Sequence, residues 1–247
     1  MARRVMNPSS ATPGAVAELA FASSPVRAPE ASTETVGIDT RERLLESAGE
    51  VFAARGYQSA TIREICNRAR ANVAAVNYHF GDKESLYEEV LTYAFRFSIE
   101  KYPLGMGTQP TAPAEERIAA FVKNYLDRLL DEGRPAWHGQ LIAREMVEPT
   151  AALDKVIEQF VRPQHDGLWK LVTELLQQYG GSTPDQANVR HGANSVVGQC
   201  LFYKNCRRII GKLMPETDFS AAGRKVLAEH ITAMSIAGLK AIASAKH

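Results

Sequence analysis

Beyond Asp39, apolar residues recur three and four positions apart along most of the chain, and the breaks in that rhythm fall at glycine, proline and capping residues. Leu44, Leu45, Ala48, Val51 and Phe52 form a first amphipathic stripe, closed by Arg55 in its last turn and by Gly56. Thr61-Ile62-Arg63-Glu64 has the order of a capping box, in which hydroxyl and carboxylate each satisfy a free amide, and Ile62, Ile65, Cys66 and Ala69 then share one face. Asn72 caps a third short helix with Val73, Val76 and Phe80 directed inward and Gly81 as its stop. Asp82 caps a fourth, carrying Leu86, Val90, Leu91 and Ala94.

Pro103, Gly105, Gly107, Pro110 and Pro113 mark a loop, after which longer stripes dominate. Ile118, Phe121, Val122, Tyr125, Leu126 and Leu129 make one, ended by Gly133 and Pro135, and a helix near 136–148 stops at Pro149. Thr150 caps the next, which runs through Val156, Ile157 and Phe160 to an expected kink or break at Pro163. Leu168, Val172, Leu175 and Leu176 lead to Gly180-Gly181. Pro184 opens a long helix bearing Val189, Ala193, Val196, Val197, Cys200 and Leu201 and closing at Pro215; a last helix, about 220–243, carries Val226, Leu227, Ile231, Met234 and Leu239. No segment has a strand pattern and no repeat is evident. The fold class is all-α.

Residues 1–38 are rich in Ala, Ser, Pro, Thr and Glu without a sustained period, which predicts a disordered tail. With 45% hydrophobic and 23% charged residues, the 247-residue chain has the composition of a globular protein. Its 29 basic and 28 acidic residues give no overall field, so affinity for a polyanion must come from a local patch. Cys66, Cys200 and Cys206 are odd in number and lack CxxC spacing, which argues against a disulfide framework or zinc site; the expectation is no metal and no cofactor. Arg3-Arg4 is followed by no signal-peptide core, and no run of roughly 18 continuous apolar residues is present. The protein is expected to be cytoplasmic, without a membrane partner.

Two short helices joined by a tight turn and braced by a first helix match the helix-turn-helix plan, whose second helix enters the major groove of DNA. On this reading Asn72, Ala75 and His79 share the outward face: alanine lets the backbone approach the duplex and touches thymine methyls, while asparagine pairs with adenine. Tyr78 and His79, at the far end, are placed for phosphates. Over residues 55–83, Arg55, Arg63, Arg68, Arg70 and Lys83 oppose only Glu64 and Asp82, and Lys83 adds a cation at a helix N-terminus that already favours anions. A plain helical bundle with a solvated charged face accounts for the same residues and stays open.

The stretch from Thr40 to about Val90, with "RLLESAGEVFAARGYQSAT", "TIREICNRA" and "NVAAVNYHFGDKESLY", resembles the N-terminal DNA-binding domain of the TetR family of transcriptional regulators. The resemblance implies a homodimer placing its third helices in successive major grooves of a double-stranded, pseudo-palindromic operator. It implies phosphate contacts at Thr61, Tyr78, His79 and Lys83, and a base-reading surface of Asn72, Val73, Ala74, Ala75 and Asn77. One departure is Arg70, where the family commonly has glycine in the turn between helices two and three; Arg70 is a further candidate phosphate contact, as is Arg63 in the basic patch.

"REMVEPTAALDKVI", "FVRP" and "VVGQCLFYKNCRRII" resemble the CecR-type regulatory domain of a TetR subgroup, which implies a helical effector-binding and dimerisation domain associated with transport or efflux genes. The expected organisation is therefore a tail at 1–38, a DNA-binding domain at 39–90 and a helical domain at 91–247. An apolar effector pocket would draw on Phe121, Tyr125, Trp137, His138, Arg144, Phe160, His165, Trp169 and Tyr203, each of which also has an ordinary core or surface role. Small residues Gly192, Ala193, Ser195 and Gly198 suit a close four-helix dimer contact with the last helix. No HExxH, GxSxG, P-loop or GxGxxG is present, so no enzyme is expected. The competing reading is a helical adaptor that acts through its C-terminal bundle without specific DNA binding.

Overall fold

The computed structural model describes residues 34–245 except Arg134, with side chains from Thr40 onward. All regular structure among them is helical: α1 Glu34–Ser59, α2 Ile62–Ala69, α3 Val73–Phe80, α4 Lys83–Lys101, α5 Ala114–Leu130, α6 Ala136–Val147, α7 Ala152–Val156, a π-helical turn Ile157–Val161, α8 Arg162–Gly180, α9 Gln186–Asn205, α10 Arg207–Leu213 and α11 Ala221–Ser244. The expected tail falls on residues outside the described range except at 34–38, where α1 begins earlier than the stripe implies. Adding residues to an existing helix costs far less than starting one, so a helix nucleated on Leu44 and Leu45 extends backward through polar sequence. At its other end Gly56 takes φ 79 and ψ 164 and bends the chain toward Ser59.

Side chains cap the starts of α2, α3 and α4. Thr61 Oγ1 accepts from the Glu64 amide at 3.2 Å, Asn72 Oδ1 from the Ala75 amide at 2.8 Å, and Asp82 Oδ1 from the Ser85 amide at 2.7 Å. The Glu64 carboxylate faces Arg55 Nε at 3.4 Å, so its half of the expected capping box goes to an ion pair. Thr150 Oγ1 accepts from the Ala152 amide at 3.3 Å, although the N-cap position of α7 falls on Ala151, one residue later than expected.

Two expectations about long helices change. Pro163 does not break the chain: the helix widens into the π-turn just before it, with the Arg162 amide bonded to the Ile157 carbonyl, so the irregular winding falls where the proline's missing amide hydrogen interrupts the regular bonding. The helix expected to run from Pro184 to Pro215 instead starts after Asp185 and divides at Cys206, whose φ of −97° and ψ of 9° separate α9 from α10.

The buried residues form two cores. The first joins α1 to α4, through Leu44, Phe52, Ile65, Val76, Leu86 and Leu91, with Trp137 and Leu141 of α6 and Ala152 and Val156 of α7. The second joins α5, α8, α9 and α11, through Ile118, Leu126, Val172, Leu175, Val196, Cys200 and Ile231. Within the first core the Trp137 ring lies on Gly49, with indole Nε1 donating to Glu46 Oε2 at 2.8 Å. Tyr87 donates to the buried Glu145 carboxylate, which also accepts from the Thr150 amide at 2.6 Å and the Thr150 hydroxyl at 2.8 Å. Burial, together with that carboxylate, pushes the Tyr87 phenol well above its ordinary pKa.

Helix α11 has the length and composition to cross a membrane, with a mean hydropathy of 1.3 over its most apolar stretch, although its apolar residues are not continuous. Only 22% of that stretch is buried, because Ile231 and Leu239 face the second core while Val226 and Met234 face outward.

A Cβ added at Gly49 would lie 2.5 Å from the Trp137 ring. Gly49→Ala is therefore expected to destabilise the protein by about 1–3 kcal/mol in urea melts, the cost of overpacking a filled contact, despite the higher helix propensity of alanine.

Candidate nucleic-acid interface

The turn between α2 and α3 determines how α3 is presented. The Ala71 amide bonds to the Cys66 carbonyl at 2.9 Å and the Arg70 amide to the Asn67 carbonyl at 3.4 Å, the paired bonds of a Schellman motif, which requires a left-handed residue between them. Arg70 fills that position with φ 52 and ψ 46, the one non-glycine residue at positive φ among those described. The turn thus keeps its shape without glycine, at a cost of roughly 1–2 kcal/mol for placing a Cβ there. Arg43 Nε, from α1, donates to the Ala69 carbonyl at 3.3 Å and ties the turn to the first helix.

Helix α3 rests on the first core through Val76, fully buried, and Phe80, 7% exposed. Its outward stripe differs in phase from the one expected. Val73 is 48% exposed rather than inward, while Ala75 and His79 are half-buried against neighbouring helices. The face open to solvent is Val73, Ala74, Asn77 and Tyr78. An eight-residue helix held by two large side chains is free to roll, and the sequence alone does not fix that roll to within one position. Tyr78 stands 85% exposed, edge-on to the His79 ring at 4.9 Å, so the pair is not packed into a core.

The two asparagines differ in what they have left to offer. Asn72 uses Oδ1 as the helix cap, whereas the Asn77 side-chain amide makes no hydrogen bond among the described residues. Thr61, exposed at the start of α2, retains its hydroxyl proton because the oxygen acts only as acceptor there.

The cations sort likewise. Arg55 pairs with Glu64, and Arg68 pairs with Glu50 of α1, a carboxylate outside the 55–83 window. Lys83 donates to the Gln58 carbonyl at 3.3 Å and lies 4.7 Å above the Tyr57 ring, which holds its ammonium at the N-terminus of α4. Arg63 and Arg70 are exposed and have no ion pair among the described residues. The charge available to a polyanion therefore rests on Arg63, Arg70 and Lys83, fewer groups than the sequence count suggests.

The structure divides the nine candidate pocket residues. Trp137 and His138 are buried and Phe160 half-buried around the first core, and Arg144 of α6 reaches Glu148 at 3.3 Å. Phe121 and Tyr125, stacked at 5.6 Å, lie in the second core with Trp169 and Tyr203 packed beside them. His165 is exposed, 3.1 Å from Asp166 and 5.6 Å from the Trp169 ring. Of the set, only Phe121, Tyr125, Trp169 and Tyr203 share one environment. Two polar residues there, Asn124 and Arg128, stand outside the expected set: they edge the apolar stripe of α5 beside Phe121 and are covered by the carbonyls of Tyr102, Leu104 and Met106 and by Gln164 of α8.

Residues 44–90 match the model of bacterial regulatory proteins of the tetR family, and residues 114–239, about half of the chain, match that of the C-terminal domain of the HTH-type transcriptional dual regulator CecR. The chain belongs to the TetR family. Its sequence is 27% identical to the dual regulator CecR of Shigella flexneri over 176 residues, covering 68% of this chain and 77% of that protein. It is 22% identical to the transcriptional repressor NicS of Pseudomonas putida over 215 residues, covering 82% and 92%. Among solved structures it resembles a transcriptional regulator from Pseudomonas aeruginosa PAO1, with a TM-score of 0.60 at 20% identity over 81% of this chain and 92% of the other. It also resembles AibR, crystallised with isovaleryl coenzyme A and operator DNA, with a TM-score of 0.57 at 20% identity over 79% and 97%. This TetR-family chain is a DNA-binding transcriptional regulator, with a helix-turn-helix at α2 and α3.

For this regulator Arg70 makes a separable prediction. Arg70→Gly should gain stability, by about 1 kcal/mol at most, because relief of the left-handed strain outweighs the added unfolded-state entropy, while Arg70→Ala should not. If the guanidinium meets a phosphate, both variants should lower the slope of log K against log salt by about 0.9. An unchanged slope in both would reject the contact.

Proposed function

We propose that the protein acts as a homodimer on a pseudo-palindromic operator, inserting α3 of each subunit into successive major grooves, and that a small-molecule effector releases it. The exposed stripe of α3 supports this reading: a large aromatic at 85% exposure beside an uncommitted asparagine and two small apolar residues is poor surface for a free helix and good surface for a groove. Asn77, with both halves of its amide free, reads adenine. Val73 and Ala74 meet thymine methyls. Thr61, Tyr78 and Lys83, with Arg63 and Arg70 at the margins, hold phosphates, and the half-buried Ala75 and His79 set the height of the helix. Asn72 acts mainly as its cap.

Repression of transport or efflux genes is the expected output. The names of CecR, a dual regulator, and NicS, a repressor, support control of transcription in either direction, set by where the operator lies. We place the protein in the cytoplasm and assign it no catalysis.

The dimer face is the outer side of α9 and α11. Gly192 and Ala193 are buried, Gly192 against Leu239 and Val172, so they serve the internal bundle rather than a partner as expected. Ser195, Gly198 and Phe202 of α9 face outward with Val226, Ala233, Met234 and Ala237 of α11. Two such helices from each subunit make a four-helix contact, which accounts for an apolar helix left mostly uncovered in the single chain.

Fluorescence anisotropy on DNA from upstream of the gene, against scrambled DNA, should show tighter binding by roughly a thousandfold that weakens with salt. Asn77→Ala should lose about 1–3 kcal/mol on the operator with little change on scrambled DNA. Weak, equal binding to both fragments and to the products of in vitro selection would instead favour an adaptor role. Sedimentation at micromolar concentration should give a dimer, and Met234→Glu should shift it toward monomer; a monomeric wild type would remove the operator geometry.

A further inference from the structure

Arg128 of α5 is 8% exposed, yet among the described residues no carboxylate pairs with it. Its guanidinium donates through Nη1 to Gln164 Oε1 at 2.6 Å and through Nη2 to the Tyr102 carbonyl at 2.7 Å, both neutral acceptors, and its buried Nε meets no acceptor. One turn earlier on the same face, Asn124 is fully buried; its Nδ2 donates to the carbonyls of Leu104 at 3.3 Å and Met106 at 2.8 Å, while Oδ1 receives no donor. The Thr108 hydroxyl, in the same covering loop, is a third buried polar atom without a partner.

A buried, unneutralised cation with a free Nε, one turn from a buried amide oxygen without a donor, is not what packing alone produces, since buried charges are normally paired and buried polar groups bonded. Burial brings the guanidinium down to about 10, so it stays charged at neutral pH. The neighbouring Tyr125 phenol, pushed up to about 12 by burial, stays neutral and supplies no counter-charge. Phe121, Tyr125 and Leu104 make the surroundings apolar.

We propose that Arg128 and Asn124 form an effector subsite that takes the carboxylate of a small acid with an apolar body, beneath the loop of residues 102–113. A carboxylate supplies the acceptor that Arg128 Nε lacks and the charge that the guanidinium lacks, and a hydroxyl or amide hydrogen on the same molecule supplies a donor to Asn124 Oδ1. The apolar body lies along Phe121 and Tyr125. Tyr102, whose carbonyl the guanidinium holds, is the residue that ends α4, and α4 begins at Lys83 in the DNA-binding surface. An acid that competes for the guanidinium therefore loosens the far end of a helix whose near end carries a phosphate contact. This inference rests on the proposal that a small-molecule effector releases the protein from DNA.

The test is thermal unfolding of the full chain with octanoate and salicylate, each against its own primary amide, for wild type, Arg128→Gln and Arg128→Lys. The expected result is that at least one acid raises the wild-type Tm with saturation while its amide does not, that Arg128→Gln weakens the response tenfold or more, and that Arg128→Lys keeps part of it. Without ligand, Arg128→Met should melt at or above wild type, because it removes a buried unneutralised cation; a purely structural arginine would melt lower when replaced. Equal shifts from acid and amide, no shift from either acid, or a full response in Arg128→Gln would each overturn the proposal. Should Arg128→Gln not fold, the comparison of acid with amide on wild type still decides. Operator anisotropy on the same samples separates the two readings: intact operator binding with no acid response removes only the subsite, whereas acid-specific stabilisation without operator binding removes only the operator model.

Discussion

The seating of α6 on the N-terminal helices is the contact on which the rest of the structure depends. The Trp137 ring occupies the place where residue 49 would carry a side chain, and its indole hydrogen reaches Glu46 one turn earlier on α1. A few residues on, Glu145 is buried with three hydrogen-bond donors around it, from Tyr87 of α4 and from Thr150 at the start of α7. A carboxylate removed from water needs such a set, since the loss of one donor leaves charge without compensation. The helices that present α3 are thus fixed from behind by residues far along the chain, and the first core is closed by α6 and α7 rather than by its own four helices alone.

That dependence explains what could be read from the residues. Signals confined to a few neighbours were legible: Gly81, Asn72 and Asp82 each end or start a helix where local chemistry says they should, Gly56 bends α1 three residues before its end, and the two short helices with their turn follow directly. Features set by distant neighbours were not. Val73 carries an apolar side chain yet faces outward, because Val76 and Phe80 alone decide which side of α3 is held. The break at Cys206 has neither proline nor glycine beside it. Arg128 and Asn124 have polar side chains at the edge of the α5 stripe, and what covers them, the Tyr102, Leu104 and Met106 carbonyls and Gln164, comes from elsewhere in the chain. Membership of the TetR family was legible for a different reason: the turn chemistry and the order of small and aromatic residues on α3 are stated within some fifty consecutive positions.

Arg70 shows the same separation between shape and residue type. The hydrogen bonds of the turn demand a left-handed backbone, and they obtain it from a residue that resists it, so the conformation is imposed by Cys66, Asn67 and Ala71 rather than chosen by position 70. The side chain left over is a cation beside the groove-facing helix, which glycine would not supply.

The π-helical turn at Ile157–Val161 bears on how one stretch of helix serves both cores. Upstream of it Ala152 and Val156 are buried in one core; downstream Leu168, Val172, Leu175 and Leu176 are buried in the other, and the helix is unbroken between them. A π-turn amounts to one extra residue accommodated within a helix. Because the extra residue is absorbed locally, the helix on either side keeps its phase and both ends face their cores at once. Chain length and helix phase are thus uncoupled at this segment: one residue more than a regular helix needs is carried between the two cores without re-aiming α8.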